Sequence, residues 1–81
     1  MTQRVAIVDL GSNSARLIVT HVYYNGAYNL VYQQKESVRL GSGLTAKGEL
    51  LPGPMEKAIA TLKNFAYMCR LFSVDTIIAV A

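Results

Sequence analysis

The chain is 81 residues long, with eight Lys and Arg against five Asp and Glu and a formal net charge of +3 at pH 7. That length suffices for one small domain with little core to spare. Its single cysteine excludes an internal disulfide, no His/Cys cluster suggests structural zinc, and the mild, unclustered positive charge gives no sign of nucleic-acid binding.

The first element is the most informative. Val5-Ala6-Ile7-Val8 is apolar without alternation, which predicts a strand covered on both faces. It runs into Asp9-Leu10-Gly11-Ser12-Asn13-Ser14. A charge ending a buried strand is costly to desolvate, so Asp9 belongs where the core opens to solvent, a cation or a ligand. Gly11 permits positive φ and close approach to the backbone. Ser12, Asn13 and Ser14 supply donors in a small space, as a phosphate oxygen requires. The same residue types also make ordinary polar turns, and on this segment alone both readings stand. The apolar run is cut short at Asp9, so it is too short for a signal sequence or a membrane span. With one free cysteine, the expectation is a reducing, cytoplasmic setting and no membrane partner.

Residues 15–23 and 28–33 are rich in β-branched and aromatic side chains and predict two further strands. Asn25-Gly26 between them predicts a type I′ hairpin, with both residues at positive φ. Tyr23, Tyr24, Tyr28 and Tyr32 cluster there and are expected to pack across the strands, since no basic stripe accompanies them as a base-stacking surface would need. His21, alone in its strand, receives no role.

Residues 35–53 turn polar and glycine-rich, with Gly41, Gly43 and Gly48. A helix is expected over 54–71, with Gly53 as its N-cap and Pro54 in its first turn. Met55, Ala58, Ile59, Leu62, Phe65, Ala66, Cys69 and Phe72 keep helical spacing and form the expected core stripe. Glu56, Lys63, Asn64 and Arg70 fall away from it. Cys69 on that stripe reads as an inert buried thiol. Residues 76–81 read as a buried strand, and because the chain stops inside it, we expect the 81 residues to be a fragment of a longer protein. Three hairpin-connected strands, a crossover helix and a parallel strand form the first part of a ribonuclease H-like α/β fold.

The residues now resemble a family. The turn from Asp9 to Ser14 is similar to the first phosphate loop of the exopolyphosphatase/guanosine pentaphosphate phosphohydrolase family, within the larger group of sugar kinases, actin and heat-shock ATPases. Lys35-Glu36-Ser37-Val38-Arg39-Leu40-Gly41-Ser42-Gly43-Leu44 resembles the family's second motif, at the expected distance. Gly48-Glu49-Leu50, then Met55 and the apolar helix pattern, resembles the family's next segment. Ile77-Ile78-Ala79-Val80-Ala81 resembles the strand that leads, in the family, to a Thr-Ser-Ala-x-Arg segment. Pro52-Gly53-Pro54 departs from the Ser- or Thr-led helix start of relatives, and Ala15-Arg16 occupies positions that vary.

The resemblance implies that the chain is the N-terminal part of the first ribonuclease H-like domain of a phosphohydrolase. That parent would release terminal phosphate from inorganic polyphosphate, or the 5′ γ-phosphate of guanosine pentaphosphate, with a divalent cation such as Mg2+. Asp9 would hold the metal or its water; Gly11, Ser12, Asn13, Ser14, Arg16 and Arg39 would bind substrate phosphate. The parent is expected to be a homodimer. The catalytic glutamate and second phosphate loop would lie beyond these residues, so the chain alone is expected to be inactive. Two alternatives remain at this point: an ATP-dependent small-molecule kinase of the same superfamily, or a non-catalytic module binding a nucleotide alarmone or polyphosphate. The motif beginning at Lys35 is not a kinase signature.

Overall fold

The computed structural model describes residues 2–39 and 52–81. Its elements run β1 (Thr2–Leu10), β2 (Ser14–Tyr23), β3 (Tyr28–Ser37), α1 (Pro52–Leu71) and β4 (Thr76–Val80). They form one four-stranded sheet in the order β3-β2-β1-β4. β1 pairs antiparallel with β2, β2 antiparallel with β3, and β4 parallel with β1. The crossover helix therefore returns the chain alongside its first strand, as the sequence pattern requires.

Strand alternation decides which side chains meet α1. Ala6, Val8 and Leu10 of β1 stand opposite Val19, Leu17 and Ala15 of β2. Ala6, Ala15, Leu17 and Val19 are fully buried, and they join Val38 and the helix residues Ala58, Phe65 and Cys69 in one core. The inward face of α1 is 58, 61, 62, 65, 68 and 69, continued by Phe72 just past its end, with 62, 68 and 72 partly buried; this adds Thr61 and Met68 to the expected stripe and turns Met55, Ile59 and Ala66 outward. Glu56, Lys63, Asn64 and Arg70 are exposed as expected.

Several expectations need correction. Among the described residues β1 is covered on one face only, by α1; Val5 and Ile7, on the other face, are half-buried. The terminal strand is exposed along its whole length, Ile77 by 55%. It pairs with β1 on one edge, and among the described residues nothing pairs with the other. The helix starts at Pro52, so Gly53 lies inside it and is not the N-cap. At 20 residues it is ~30 Å long. β3 continues to Ser37, so the opening residues of the second motif are strand; Gly41, Gly43, Gly48 and the rest of that motif from Leu40 lie outside the described residues.

The β2–β3 hairpin forms where Asn25-Gly26 places it, with a different turn. The Tyr23 N–H donates to the Ala27 carbonyl at 2.8 Å and the Gly26 N–H donates to the Tyr23 carbonyl at 3.0 Å. Gly26 alone takes positive φ, at 88°. The result is a three-residue loop closed by a left-handed glycine. Asn25 keeps negative φ because its side-chain oxygen accepts the Ala27 N–H at 3.0 Å, a local bond that competes with the type I′ geometry. The tyrosines do not pack as a group. Tyr24 is 87% exposed, Tyr23 meets His21, and Tyr32 stacks on Phe72 at 4.9 Å, locking β3 to the end of α1.

The helix ends in a left-handed cap. Ser73 has φ 52°, its N–H donates to the Arg70 carbonyl at 3.1 Å, and the Val74 N–H donates to the Cys69 carbonyl at 2.9 Å. Val74 packs against the core that holds Cys69, the apolar contact that accompanies such caps. Arg4 Nη1 donates to the Phe72 carbonyl at 2.6 Å, the Arg4 N–H donates to Asp75 Oδ2 at 2.8 Å, and the Asp75 N–H returns to the Arg4 carbonyl at 2.9 Å. Arg4 and Asp75 thus fix where β4 begins beside β1.

Candidate phosphate-binding site

β1 ends, β2 begins and β3 ends at one edge of the molecule, and β4, parallel to β1, points its last residues the same way. In open α/β sheets ligands bind beyond the carboxyl ends of the parallel strands. Asp9 stands there on β1, exposed, directly opposite Arg16 on β2 and beside Val80 on β4. Asp9 and Arg16 share the sheet face away from α1, since their neighbours Leu10, Ala15 and Leu17 belong to the core side.

The turn between them is tight. The Gly11 N–H donates to the Ser14 carbonyl at 2.8 Å, leaving Ser12 and Asn13 as an exposed tip. Gly11 does not use positive φ here. A Cβ at Gly11 would stand 3.2 Å from the Ser14 carbonyl oxygen, so close backbone approach is the reason for glycine.

The second motif reaches this loop through the backbone. The Asn13 carbonyl oxygen accepts both the Val38 N–H and the Arg39 N–H, each at 3.0 Å. Val38 anchors the junction from below, only 1% exposed in the core, while Arg39 turns out with φ 52°. A bulky residue in the left-handed region is held there at a cost, on the order of 1–3 kcal/mol, and such strain collects at functional sites. The motif draws attention to Arg39 but not to Val38, since a valine between a serine and an arginine carries no burial signal by itself.

The expected site residues therefore come together in two groups on one edge. Asp9, Gly11, Ser12, Asn13, Ser14 and Arg16 form the strand–turn–strand unit, and Arg39 is tied to its tip. Among the described residues no three His, Cys, Asp or Glu side chains are grouped to hold a metal. A Mg2+ ion does not need such a cage, because it keeps waters and binds through one or two carboxylates plus phosphate oxygens. One exposed carboxylate at the end of β1, followed in the turn by Ser12 and Ser14, fits that donor set. Two surface hollows, of about 410 and 360 Å3, lie elsewhere, one lined by Thr2, Tyr23 and Asp75 and the other by Cys69, Arg70 and Ile77. Burial pushes the Cys69 thiol above its ordinary value, which fits an inert core residue.

The Ppx/GppA phosphatase family model matches residues 4–81. The chain belongs to that family. It is 30% identical to exopolyphosphatase 2 of Mycobacterium tuberculosis across 96% of its own length and 25% of that protein's. A crystal structure of the Aquifex aeolicus member of the Ppx/GppA family superposes with a TM-score of 0.92 at 28% identity, covering 100% of this chain and 26% of that one. An exopolyphosphatase from Cytophaga hutchinsonii superposes with a TM-score of 0.85 at 30% identity, covering 95% of this chain and 24% of that one. The chain thus spans about a quarter of the length of the relatives it matches. The ribonuclease H-like, actin-like arrangement read from the element order holds: three antiparallel strands, a crossover helix and a parallel strand. No helix among the described residues is long and apolar enough to cross a membrane.

Proposed function

We propose that this chain forms the phosphate-binding part of a Ppx/GppA phosphohydrolase that removes terminal phosphate from inorganic polyphosphate. The observation that carries the proposal is the Asn13 carbonyl gathering the Val38 and Arg39 N–H groups. It ties the loop after Asp9 to the backbone of Arg39, an arginine from a separate motif, and a turn serving only to reverse the chain has no use for that link.

Phosphoryl transfer asks the protein mainly for positioning and charge neutralisation. The loop from Gly11 to Ser14 presents hydroxyl and amide donors to the terminal phosphate, whose oxygens accept them. Arg16 and Arg39 offset phosphate charge, with Arg39 suited to a two-pronged grip. Asp9, with one exposed carboxylate at the strand end, is the residue that would hold a divalent cation or its water. That cation supplies charge neutralisation at the phosphate oxygens. In the reaction water adds to the terminal phosphorus, the bond to the bridging oxygen breaks, and orthophosphate leaves. The base that takes the water's proton is expected outside these residues, so the isolated chain should turn over no substrate. Guanosine pentaphosphate offers the same terminal phosphate and is the second substrate of this proposal.

The test is phosphate release by the full-length protein from long-chain polyphosphate and from guanosine pentaphosphate, with magnesium. Release from polyphosphate is expected; release from neither substrate would refute the proposal.

A further inference from the structure

The sheet face away from α1 has a charge pattern that the residues above do not use up. Along β1, β2, β3 and β4 that face carries Val5, Ile7 and Asp9; Ser14, Arg16, Ile18 and Thr20; Gln33, Lys35 and Ser37; and Thr76, Ile78 and Val80. Its charged members fall in a single row, because Asp9 stands opposite Arg16 and Arg16 stands opposite Lys35. Like charges directly opposite each other across a strand pair are destabilising. The neighbours of Lys35 on its face of β3 are Gln33 and Ser37, neither of them acidic. Glu36 offers no relief from its own strand. It faces the α1 side, where it accepts a hydrogen bond from Gln34 Nε2 at 3.1 Å, and Gln34 in turn accepts one from the Tyr32 hydroxyl at 2.8 Å. That ladder keeps the carboxylate turned away from Lys35.

We infer that Lys35 is a second anion subsite, which takes the phosphates that follow the terminal one along a polyanionic chain. The inference rests on the reading that the terminal phosphate sits at the loop after Asp9. β3 is two strand spacings, about 10 Å, from β1, so one phosphate group at Asp9 does not span the distance to Lys35. A chain of phosphates leaving the loop over Arg16 meets Lys35 next. The ammonium acts there as an exposed point charge rather than a shaped grip. Lys35 therefore selects for substrate length and leaves the reacting phosphate alone.

The experiment measures equilibrium binding of long-chain polyphosphate and of pyrophosphate to the full-length protein. Wild type, Lys35→Gln and Lys35→Arg are compared, with Lys63→Gln as a charge-matched control on the exposed side of α1. Lys35→Gln is expected to weaken long-chain binding about five- to tenfold and to lower the salt dependence by about one counterion. Pyrophosphate affinity should stay unchanged, Lys35→Arg should bind as wild type, and Lys63→Gln should alter neither ligand. Equal losses for both ligands, no loss for either, or the same loss in Lys63→Gln would overturn the inference. Asp9→Asn separates the two readings. If Lys35→Gln weakens only the long chain while Asp9→Asn hydrolyses normally, the subsite stands and the catalytic reading falls. If Asp9→Asn is inactive and Lys35→Gln binds as wild type, the reverse holds.

Discussion

The backbone N–H of Arg39 donates a 3.0 Å hydrogen bond to the carbonyl oxygen of Asn13, and Arg39 makes it with a left-handed φ of 52°. Backbone and side chain can be separated here. Arg39→Gly relieves a left-handed strain of about 1–2 kcal/mol against a glycine entropy cost of about 0.5–1 kcal/mol. Thermal stability of the full-length protein should therefore hold or rise slightly while polyphosphate hydrolysis falls. Arg39→Lys keeps the charge and loses the planar fork; kcat/KM should drop by about 1.5–3 kcal/mol equivalent. A fully active lysine variant would reduce Arg39 to a solvated charge.

Ser73 closes α1 with φ 52°, where glycine is the usual occupant. Ser73→Gly should raise stability by about 0.5–1 kcal/mol in denaturant melts. A clear loss would mean that the serine hydroxyl holds the turn.

Arg4 joins the Phe72 carbonyl, just past the end of α1, to the start of the β1–β4 pairing. Arg4→Ala removes the 2.6 Å bond to the Phe72 carbonyl and should cost about 1–2 kcal/mol. Asp75→Asn keeps an acceptor for the Arg4 N–H and should cost less than Asp75→Ala. Equal costs for the two Asp75 variants would point to its charge and not to the hydrogen bond.

Cys69 gives a pH signature of known sign. Burial favours the neutral thiol, so its folded-state pKa is raised above the ordinary 9.0. Below that value both states hold the proton and the contribution to stability is constant. As pH rises past it the unfolded chain loses its proton first, and stability falls until the folded thiol ionises as well. Stability measured from neutral pH into the alkaline range should fall less in Cys69→Ala than in wild type, and thiol reagents should modify native Cys69 only as slowly as the chain opens. Rapid modification of the native protein would contradict this.

Much of the fold was legible from the residues because the strongest signals were local. The uninterrupted apolar run ending in Asp9, the Asn25-Gly26 hairpin and the 3.6-residue stripe through Phe65 each encode one element and its neighbour. Their order alone implies the parallel return of the chain. What failed depended on partners distant in sequence. The apolar composition of β4 suggested burial, yet composition cannot say whether a second sheet neighbour is present. Arg4 and Asp75 lie 71 residues apart in sequence, and only the crossover brings them together. At the candidate site, Asp9, the turn and Arg39 were singled out through residue type and motif. The link from Asn13 to Val38 and Arg39 was not, since it uses backbone atoms that every residue carries.

Under the proposed function, Asp9 serves chemistry and not folding. Asp9 is exposed at the end of β1, and its replacement by the near-isosteric asparagine removes only the charge a divalent cation requires. The measurement is phosphate release from long-chain polyphosphate by full-length wild type and Asp9→Asn across a magnesium titration, with melting curves on both. Hydrolysis should be abolished at every magnesium concentration with the melting temperature unchanged. Near wild-type turnover with the same magnesium dependence would leave Asp9 as a turn residue and contradict the claim.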